Sequence, residues 1–336
     1  MISKSKRFGV VTLIIGLFLV ALSLSACSGN ETGVKDGYES SKIRLNYGAS
    51  YASVVPQLLM LRGTLEQMVP DGVSVEWISS GRSADVRDAL VTDRIDIGTF
   101  SSPGVIAAIA NGFPINILCN SAQQTCIIYS SNPDVRSLED INQTSKISTQ
   151  SIGGAYHLAL MFVGKELFGD ARKFDVNLLN MAYADMFATV ETSNMLDAAI
   201  VGFPYTLMAD EIDKMHPIFD LTPTLMEYNI SSFTAASESF YSNNPLLVEI
   251  TLRAFKETMD FLVEHPGESA RILADFYGDI DADSIEEQIR SLPPQLEISE
   301  SAFDKVAELM FEVGIIPNQP KKFAELPNYN SILKVP

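Results

Sequence analysis

Basic residues are scarce in this sequence. Its 336 residues include 24 Lys and Arg against 42 Asp and Glu, which gives a formal net charge of −18 at pH 7. This balance argues against a nucleic-acid partner, because contacts to phosphate are built from Lys and Arg. It argues equally against a polybasic contact with an anionic membrane surface. The acidity keeps a folded body soluble and does not identify a ligand.

Familiar catalytic signatures are also absent. The sequence has no Gly-x-Ser-x-Gly, His-Glu-x-x-His, P-loop or Gly-x-Gly-x-x-Gly motif. It has three histidines, His157, His216 and His265, so a histidine-based metal site would have to be assembled by the fold. His157 lies one turn into a predicted helix and is interpreted as a buried or half-buried histidine with satisfied hydrogen bonds. We therefore predict no catalytic residue, metal site or cofactor.

Cysteine is rare as well, and the first of the three cysteines belongs to an export signal. Three basic residues within the first seven precede an apolar run over 10–22, which is too short for a stable membrane span. Leu24-Ser25-Ala26-Cys27 follows and resembles the lipobox of bacterial lipoproteins, in which the cysteine receives the lipid. The alternative is an ordinary signal peptide cut at a nearby alanine. We predict a signal peptide over 1–26 and a lipid-anchored polar tether over 27–41.

This signal predicts an exported protein, anchored to the outer face of the cell membrane or the periplasmic side. Exported thiols meet an oxidising environment, which concerns the remaining two cysteines, Cys119 and Cys126. They lie in short apolar runs at 115–119 and 126–129. If these runs pair as a hairpin, the two thiols face each other and are candidates for a disulfide. The alternative is a pair of buried free cysteines.

Short β-like runs alternate with helical patterns along the rest of the chain, which predicts an α/β body with a largely parallel sheet. Strands are predicted at 43–47, 73–77, 95–99, 115–119, 126–129, 146–149, 176–180, 197–201 and 230–236. Helices are predicted at 55–68, 83–91, from Ser102 to Gly112, 155–168, 186–191, 244–264, from His265, 281–290 and 299–313.

Two units of this pattern repeat each other. Residues 89–98 align with 190–199, and a proline that begins a helix follows at the same offset in each unit, as Pro103 and Pro204. So loose a match also arises by chance, since helix–turn–strand units look alike, but we interpret it as two duplicated α/β lobes.

The carboxyl-terminal part of the sequence is mostly helical and is predicted to pack back on the first lobe. The chain then crosses between the lobes twice, near 129–131 and near 230–232. The predicted domains are 42–130 plus 233–336 for the first lobe and 131–232 for the second.

Polar or aromatic residues follow the carboxyl end of each predicted strand, where open α/β sheets bind ligands. Singly they are ordinary loop and cap residues, but together, in two facing lobes, they predict a cleft that binds a solute. The predicted ligand-binding residues are Ser50, Tyr51, Ser80, Gly81, Arg82, Phe100, Ser101, Ser102, Gln150, Ser151, Tyr156, Asp185, Gly202, Phe203 and Tyr205.

Several motifs carry a resemblance to a known family. They are residues 43–47, Val75-Glu76-Trp77 running to Ser80-Gly81, residues 93–98, Ala107-x-x-Ala110-Asn111-Gly112-x-Pro114-Ile115, Ser137-x-Glu139-Asp140-Ile141, and Ile152-Gly153-Gly154 with His157. From about Ile43 to Tyr205 the sequence resembles the NMT1/THI5-like substrate-binding proteins of ABC importers for nitrate, taurine, aliphatic sulfonates and thiamine-precursor pyrimidines. The resemblance implies a two-lobed type II periplasmic-binding fold, with central mixed sheets and two hinge crossovers, that closes over one solute.

The resemblance also implies a small-molecule ligand, an ABC permease as partner and a monomer that contacts the membrane only through its lipid. In one hypothesis Arg82 and helix N–H groups hold a sulfonate or related anion, while Tyr51, Tyr156 and Phe203 enclose its organic part. Alternatively Arg82 caps a surface helix or pairs with Asp85, and the ligand is a neutral or aromatic heterocycle such as a pyrimidine or flavin precursor. Two alternatives of other classes are a lyase-type enzyme on the same fold and a sensory lipoprotein.

Overall fold

Ten β-strands in the described residues form two five-stranded sheets. The computed structural model describes residues 37–48, 51–80, 82–278 and 280–328. The strands are β1 (Lys42–Tyr47), β2 (Ser74–Ser79), β3 (Ile97–Ser101), β4 (Ile115–Asn120), β5 (Cys126–Ser130), β6 (Ile147–Thr149), β7 (Leu178–Asn180), β8 (Ala198–Gly202), β9 (His216–Asp220) and β10 (Ser232–Ser237). The first sheet has the order β2-β1-β3-β10-β4 and the second has the order β7-β6-β8-β5-β9. We call the halves of the protein built on these sheets the first and second lobes.

Helices connect most of the strands and continue after the last one. In the described residues they are α1 (Val54–Arg62), α2 (Thr64–Met68), α3 (Ser83–Val91), α4 (Ser102–Ala110), α5 (Ala155–Phe168), α6 (Tyr183–Thr192), α7 (Tyr205–Asp210), α8 (Thr222–Glu227), α9 (Glu238–Asn243), α10 (Pro245–Glu264), α11 (Pro266–Tyr277), α12 (Ala282–Ser291) and α13 (Glu300–Glu312). The helix predicted over 55–68 is two helices, because Gly63 adopts a left-handed conformation with φ 62° between them. The predicted α/β class with mixed sheets is confirmed.

The two sheets have the same internal arrangement. In each, the second strand in the order pairs in parallel with both of its neighbours, and the fourth strand runs antiparallel to the third and the fifth. β3 and β8 occupy equivalent places, and their bounds differ by the offset found in the sequence repeat. α3 and α6, which precede them, end at the corresponding residues Val91 and Thr192. The repeat inferred from the sequence is therefore structural.

In each sheet, one strand comes from the part of the chain that follows a crossover between the lobes. β5 follows the passage over 121–125 and joins the second sheet, whereas β10 follows the return over 228–231 and joins the first. The predicted first passage, near 129–131 with β5 in the first lobe, differs from the structure, in which β5 pairs with β8 and β9 of the second sheet. A short polar gap between two apolar runs suits a hairpin and a crossover equally, and nothing local distinguishes them.

The predicted hairpin of the two cysteine-bearing strands consequently does not form. β4 pairs with β10, while β5 pairs with β8 and β9. Cys119 and Cys126 are both free and buried, so the candidate disulfide is absent. Burial raises the pKa of Cys119 to about 12 and that of Cys126 well above its ordinary value. Both thiols are therefore protonated and unreactive at neutral pH.

The carboxyl-terminal helices pack on the first lobe and also reach the second. Buried side chains of α10, α11 and α12 share one apolar cluster with those of β1 and α1. Glu312, the last residue of α13, forms an ion pair with Lys165 of α5 at 2.5 Å. The carbonyl of the next residue, Val313, accepts hydrogen bonds from Arg172. No helix in the described ranges combines the length and the apolar composition needed to cross a bilayer.

Candidate functional site

Two aromatic rings from different lobes meet at the carboxyl ends of the strands. Tyr51 follows β1 in the first lobe and Phe203 follows β8 in the second, and their ring centroids are 5.2 Å apart at an interplanar angle of 86°. This edge-to-face geometry is favourable for an aromatic pair. Both side chains are buried, and Phe203 belongs to the apolar cluster of the first lobe. The second lobe therefore inserts a ring into the first.

Gly202, at the end of β8, lets two tyrosine hydroxyl groups approach the backbone. Its N–H donates to Tyr183 Oη at 2.8 Å, and the Tyr156 hydroxyl lies directly over its Cα, hydrogen-bonded to Tyr183. A Cβ at this position would clash with Tyr156 Oη and would lie 2.7 Å from Tyr156 Cζ. Burial raises the pKa of both Tyr156 and Tyr183, so both phenols remain protonated.

Two further tyrosines belong to this group. The ring of Tyr205, at the start of α7, stacks on Tyr183 with centroids 4.1 Å apart. Tyr277, at the end of α11, donates from its hydroxyl to Gln57 Oε1 at 2.5 Å. Burial raises the pKa of Tyr277, and the neighbouring phenols of Tyr51 and Tyr205 raise it further. The carboxyl-terminal helices thus supply one wall of the same region.

We call this set of six rings the aromatic cluster: Tyr51, Tyr156, Tyr183, Phe203, Tyr205 and Tyr277. Two glutamines border it. Gln124 lies in the first crossover, with its Nε2 3.0 Å from the place of a Cβ on Gly202. Gln288 of α12 accepts at its Oε1 from the Thr125 hydroxyl at 2.7 Å. Thr125 also accepts at its carbonyl from the N–H of Phe203 at 2.9 Å, which ties the crossover to the end of β8.

Arg82, the cation predicted to hold an anion, does not point into this cluster. It is the N-cap residue of α3, with a side chain 79% exposed, and its Nε is 2.8 Å from Asp85 Oδ2. The ion pair with Asp85 raises the pKa of Arg82 and lowers that of Asp85. Of the two alternatives from the sequence, the structure has the one in which Arg82 pairs with Asp85.

The other predicted residues divide into three groups. Tyr51, Tyr156, Gly202, Phe203 and Tyr205 come together in or beside the aromatic cluster. Phe100, Ser101 and Ser102 lie at the end of β3 and have structural contacts. Phe100 is in the core, and the N–H of Ser101 donates to Ser83 Oγ. Ser102 Oγ accepts from the N–H of Ser231 in the return crossover. Ser80 is half-buried, and Gln150, Ser151 and Asp185 are exposed. Ser50 and Gly81, like Cys27, the signal peptide and the tether up to residue 36, lie outside the described residues.

His157 has the structural role expected from the sequence. It is buried at the start of α5, where its Nδ1 accepts from the N–H of Gly153 at 2.9 Å. Its Nε2 is 3.0 Å from Asp175 Oδ1, and Asp175 is paired with Arg172 at 3.0 Å. Because Nδ1 accepts, Nε2 carries the proton and donates to Asp175. This network fixes the glycine turn before α5.

Four residues of the region were missed by the sequence analysis: Gln124, Tyr183, Tyr277 and Gln288. Tyr183 and Gln124 sit near predicted strand ends and were within reach of the same argument. Tyr277 and Gln288 lie on helices far along the chain, and no local pattern shows which helix faces the cleft. A shallow acidic depression on the exposed face of α12, lined by residues such as Asp283 and Glu287, contains none of the cluster residues and is not the candidate site. Across the described ranges, no group of three His, Cys, Asp or Glu side chains is arranged to hold a metal.

The family model described as NMT1/THI5 like matches residues 70–269, more than half of the chain. The chain belongs to this family. Among curated proteins, none matches the sequence.

Solved structures share the fold at low sequence identity. The alkanesulfonate-binding protein SsuA from Xanthomonas axonopodis, bound to MOPS, matches with a TM-score of 0.70 and 16% identity, over 84% of this chain and 96% of the other. A ligand-binding component of an ABC-type import system from Staphylococcus aureus gives 0.72 and 14%, over 88% and 99%. SsuA from Escherichia coli gives 0.67 and 19%, over 84% and 90%. These similarities confirm the two-lobed periplasmic-binding fold.

Proposed function

We propose that the protein is an extracytoplasmic solute receptor that delivers a small organic molecule to an ABC importer. The observation that carries the proposal is the aromatic cluster, in which side chains of both lobes meet at the carboxyl ends of their strands. Family membership and the names of the structural neighbours support it. A solute bound between lobes favours the closed arrangement by its differential affinity for that state, which is what a permease can recognise.

The proposed binding residues are those predicted from the sequence that meet in the cluster: Tyr51, Tyr156, Gly202, Phe203 and Tyr205. Four of them supply rings, which would bury a large area of a planar solute, and one of these, Tyr156, is also a hydrogen-bonding phenol at Gly202. We propose binding without turnover, with no cofactor, by a protein that acts as a monomer.

A neutral or aromatic ring compound is the ligand class that this lining supports best. Burial is the main cause of the raised pKa values of Tyr156 and Tyr183, Cys126 raises both further, and no Lys or Arg side chain is among the causes for either. A sulfonate is the second candidate, because two of the structural neighbours are named as sulfonate-binding proteins. An anion at this place would be held by hydroxyl and amide groups, with Arg82 at a distance.

Attachment to the membrane is proposed to occur through a lipid on Cys27. The support for it is the Leu-Ser-Ala box before Cys27 and the small polar stretch after it. A single acyl chain binds membranes only marginally, so the complete lipoprotein modification would be required for a stable anchor.

The direct test is a thermal-shift screen of the purified protein against sulfonates, nitrate, pyrimidines, flavins and aromatic acids. A true ligand should stabilise the protein by about 4 kcal/mol at a thousand times its dissociation constant. Tyr156→Ala and Phe203→Ala should each weaken that ligand by about tenfold or more, equivalent to about 1.4 kcal/mol. Phe113→Ala, at an exposed ring on the first lobe, is the control. Failure of every solute class to stabilise the protein would refute the receptor function.

A further inference from the structure

Three buried polar atoms beside the aromatic cluster have no hydrogen-bond partner among the described residues. They are Tyr51 Oη, Gln124 Oε1 and Gln288 Nε2. The residues are 0%, 7% and 3% exposed, respectively. Buried polar side chains in native proteins are nearly always hydrogen-bonded, so three unpartnered atoms in one region require an explanation.

The three side chains converge on one short piece of backbone. The Tyr51 ring packs against Phe203, whose N–H donates to the carbonyl of Thr125. Thr125 in turn holds Gln288 through its hydroxyl. Gln124 is the residue before Thr125 and lies against Gly202, the residue before Phe203. The first lobe, the crossover and the second lobe therefore meet around Thr125 and Phe203.

The contacts of Gln288 decide which of its two amide atoms is free. Gln288 Oε1 faces two donors of Thr125, the hydroxyl at 2.7 Å and the backbone N–H at 3.4 Å, so its Nε2 is the free donor. Gln124 presents its Oε1 as a free acceptor. The Tyr51 hydroxyl is protonated, because burial raises its pKa, and it adds a second donor. The set thus offers two donors and one acceptor, without a formal charge.

Buried hydroxyl groups without a partner that lie on helices have a simpler explanation. Thr258 of α10 and Ser269 of α11 are examples, on the buried faces of their helices. A hydroxyl at such a position can rotate toward a carbonyl of the preceding turn. The set beside the aromatic cluster differs, because two of its atoms are amide atoms of glutamines from separate elements that border the same backbone at Thr125 and Gly202.

We propose that Tyr51 Oη, Gln124 Oε1 and Gln288 Nε2 form the polar end of the solute site and select a neutral planar compound that carries an N–H donor beside an acceptor. Amides, lactams and amino-substituted nitrogen heterocycles have this pattern. This inference rests on the proposed receptor function and specifies its ligand class. An acceptor-only anion would leave Gln124 Oε1 facing negative oxygen atoms, and sites with buried hydrogen-bonding groups reject analogues that cannot pair with them.

The first arm of the test compares ring compounds of similar size. Cytosine, uracil and nicotinamide are neutral and carry N–H donors, whereas nicotinate and benzenesulfonate are acceptor-only anions. Titration calorimetry with the purified protein should show at least one neutral probe binding about tenfold or more tightly than either anion. Tighter binding of an anion, or no binding by any neutral probe, would overturn the inference.

The second arm uses Gln124→Leu and Gln288→Met, with Gln123→Leu as a matched control. Gln123 is the adjacent residue of the same crossover, and its Nε2 donates to the carbonyl of Leu225 at 3.4 Å. Each test variant should bind the best neutral probe about tenfold less tightly, and the control should bind it within about twofold.

The stability of the ligand-free variants separates a binding role from a structural one. Gln124→Leu removes an acceptor that has no partner, so its melting temperature should equal or exceed that of the parent. A lower melting temperature with unchanged probe affinity would show that Gln124 is structural and would overturn the inference. If sulfonates bind and the glutamine substitutions do not change their affinity, the receptor function is supported and the proposed ligand class is refuted.

Discussion

Substitution of Gly202 tests the packing at the centre of the site. A methyl group there would clash with Tyr156 Oη and approach Tyr156 Cζ to 2.7 Å and Gln124 Nε2 to 3.0 Å. The Tyr156 ring must then move and lose its hydrogen bond to Tyr183. Overpacking of this kind costs about 1–3 kcal/mol, and the lost hydrogen bond costs about 1 kcal/mol. Gly202→Ala should therefore lower the free energy of unfolding by roughly 2–4 kcal/mol.

The assay is urea unfolding, with Gly267→Ala as the matched control. A Cβ on Gly267 would also meet a close atom, Glu286 Oε2 at 2.8 Å, but that atom ends a flexible surface side chain that can swing aside. Alanine is preferred to glycine within helices by about 1 kcal/mol, so the control should be unchanged or slightly more stable.

A second substitution locates the clash. Tyr156→Phe removes the hydroxyl oxygen that the new methyl group would meet, so Gly202→Ala should cost less in the Tyr156→Phe background than in the parent. The coupling should be about 1 kcal/mol or more, as for residues in direct contact. Parental stability of Gly202→Ala, or strict additivity of the two substitutions, would refute the placement of the Tyr156 hydroxyl over Gly202.

Three further predictions concern other parts of the protein. Asp96→Ala should lower the free energy of unfolding by about 3 kcal/mol in urea, because it leaves the Arg44 guanidinium without its partly buried partner; a loss below about 1 kcal/mol would contradict this. Cys119 and Cys126 should resist a thiol reagent at pH 8 in the native protein and both react, without reductant, after unfolding; blocked thiols would indicate a disulfide. Cys27→Ala should release the protein from the membrane fraction or leave it unprocessed, and persistence of mature-sized, membrane-bound protein would exclude lipidation.

Local patterns in the sequence were sufficient for most of the fold. The helices over 83–91 and 155–168 match α3 and α5, and α5 has a glycine at each cap, Gly154 and Gly169. The duplicated lobes followed from the spacing of two helix–strand units, which β3 and β8 reproduce. The helix predicted to begin at Pro204 is α7, whereas β9, α8 and α9 were not predicted, since elements of five or six residues carry too little periodicity.

The pairing of strands that are distant in sequence could not be predicted from local patterns. β5 is an apolar run that would suit either sheet, and its partner is decided by the whole second lobe rather than by the turn before it. The residues of the candidate site show the same difference between local and non-local information. Tyr51 and Phe203 follow strands and were predicted from that position, whereas Tyr277 and Gln288 reach the site only because α11 and α12 pack back on the first lobe. Arg82 was assigned by proximity in sequence, and its neighbour Asp85 satisfies it instead.

Hydrogen–deuterium exchange with and without the most stabilising solute tests the central claim, that one solute is bound by both lobes at once. Amide protection should rise together in the crossover at 121–125, around Gly202 to Tyr205 at the end of β8, and near Tyr277 at the end of α11. These segments belong to the crossover, the second lobe and the first lobe, respectively. Protection confined to one lobe, or centred on the outer face of α12, would contradict the account.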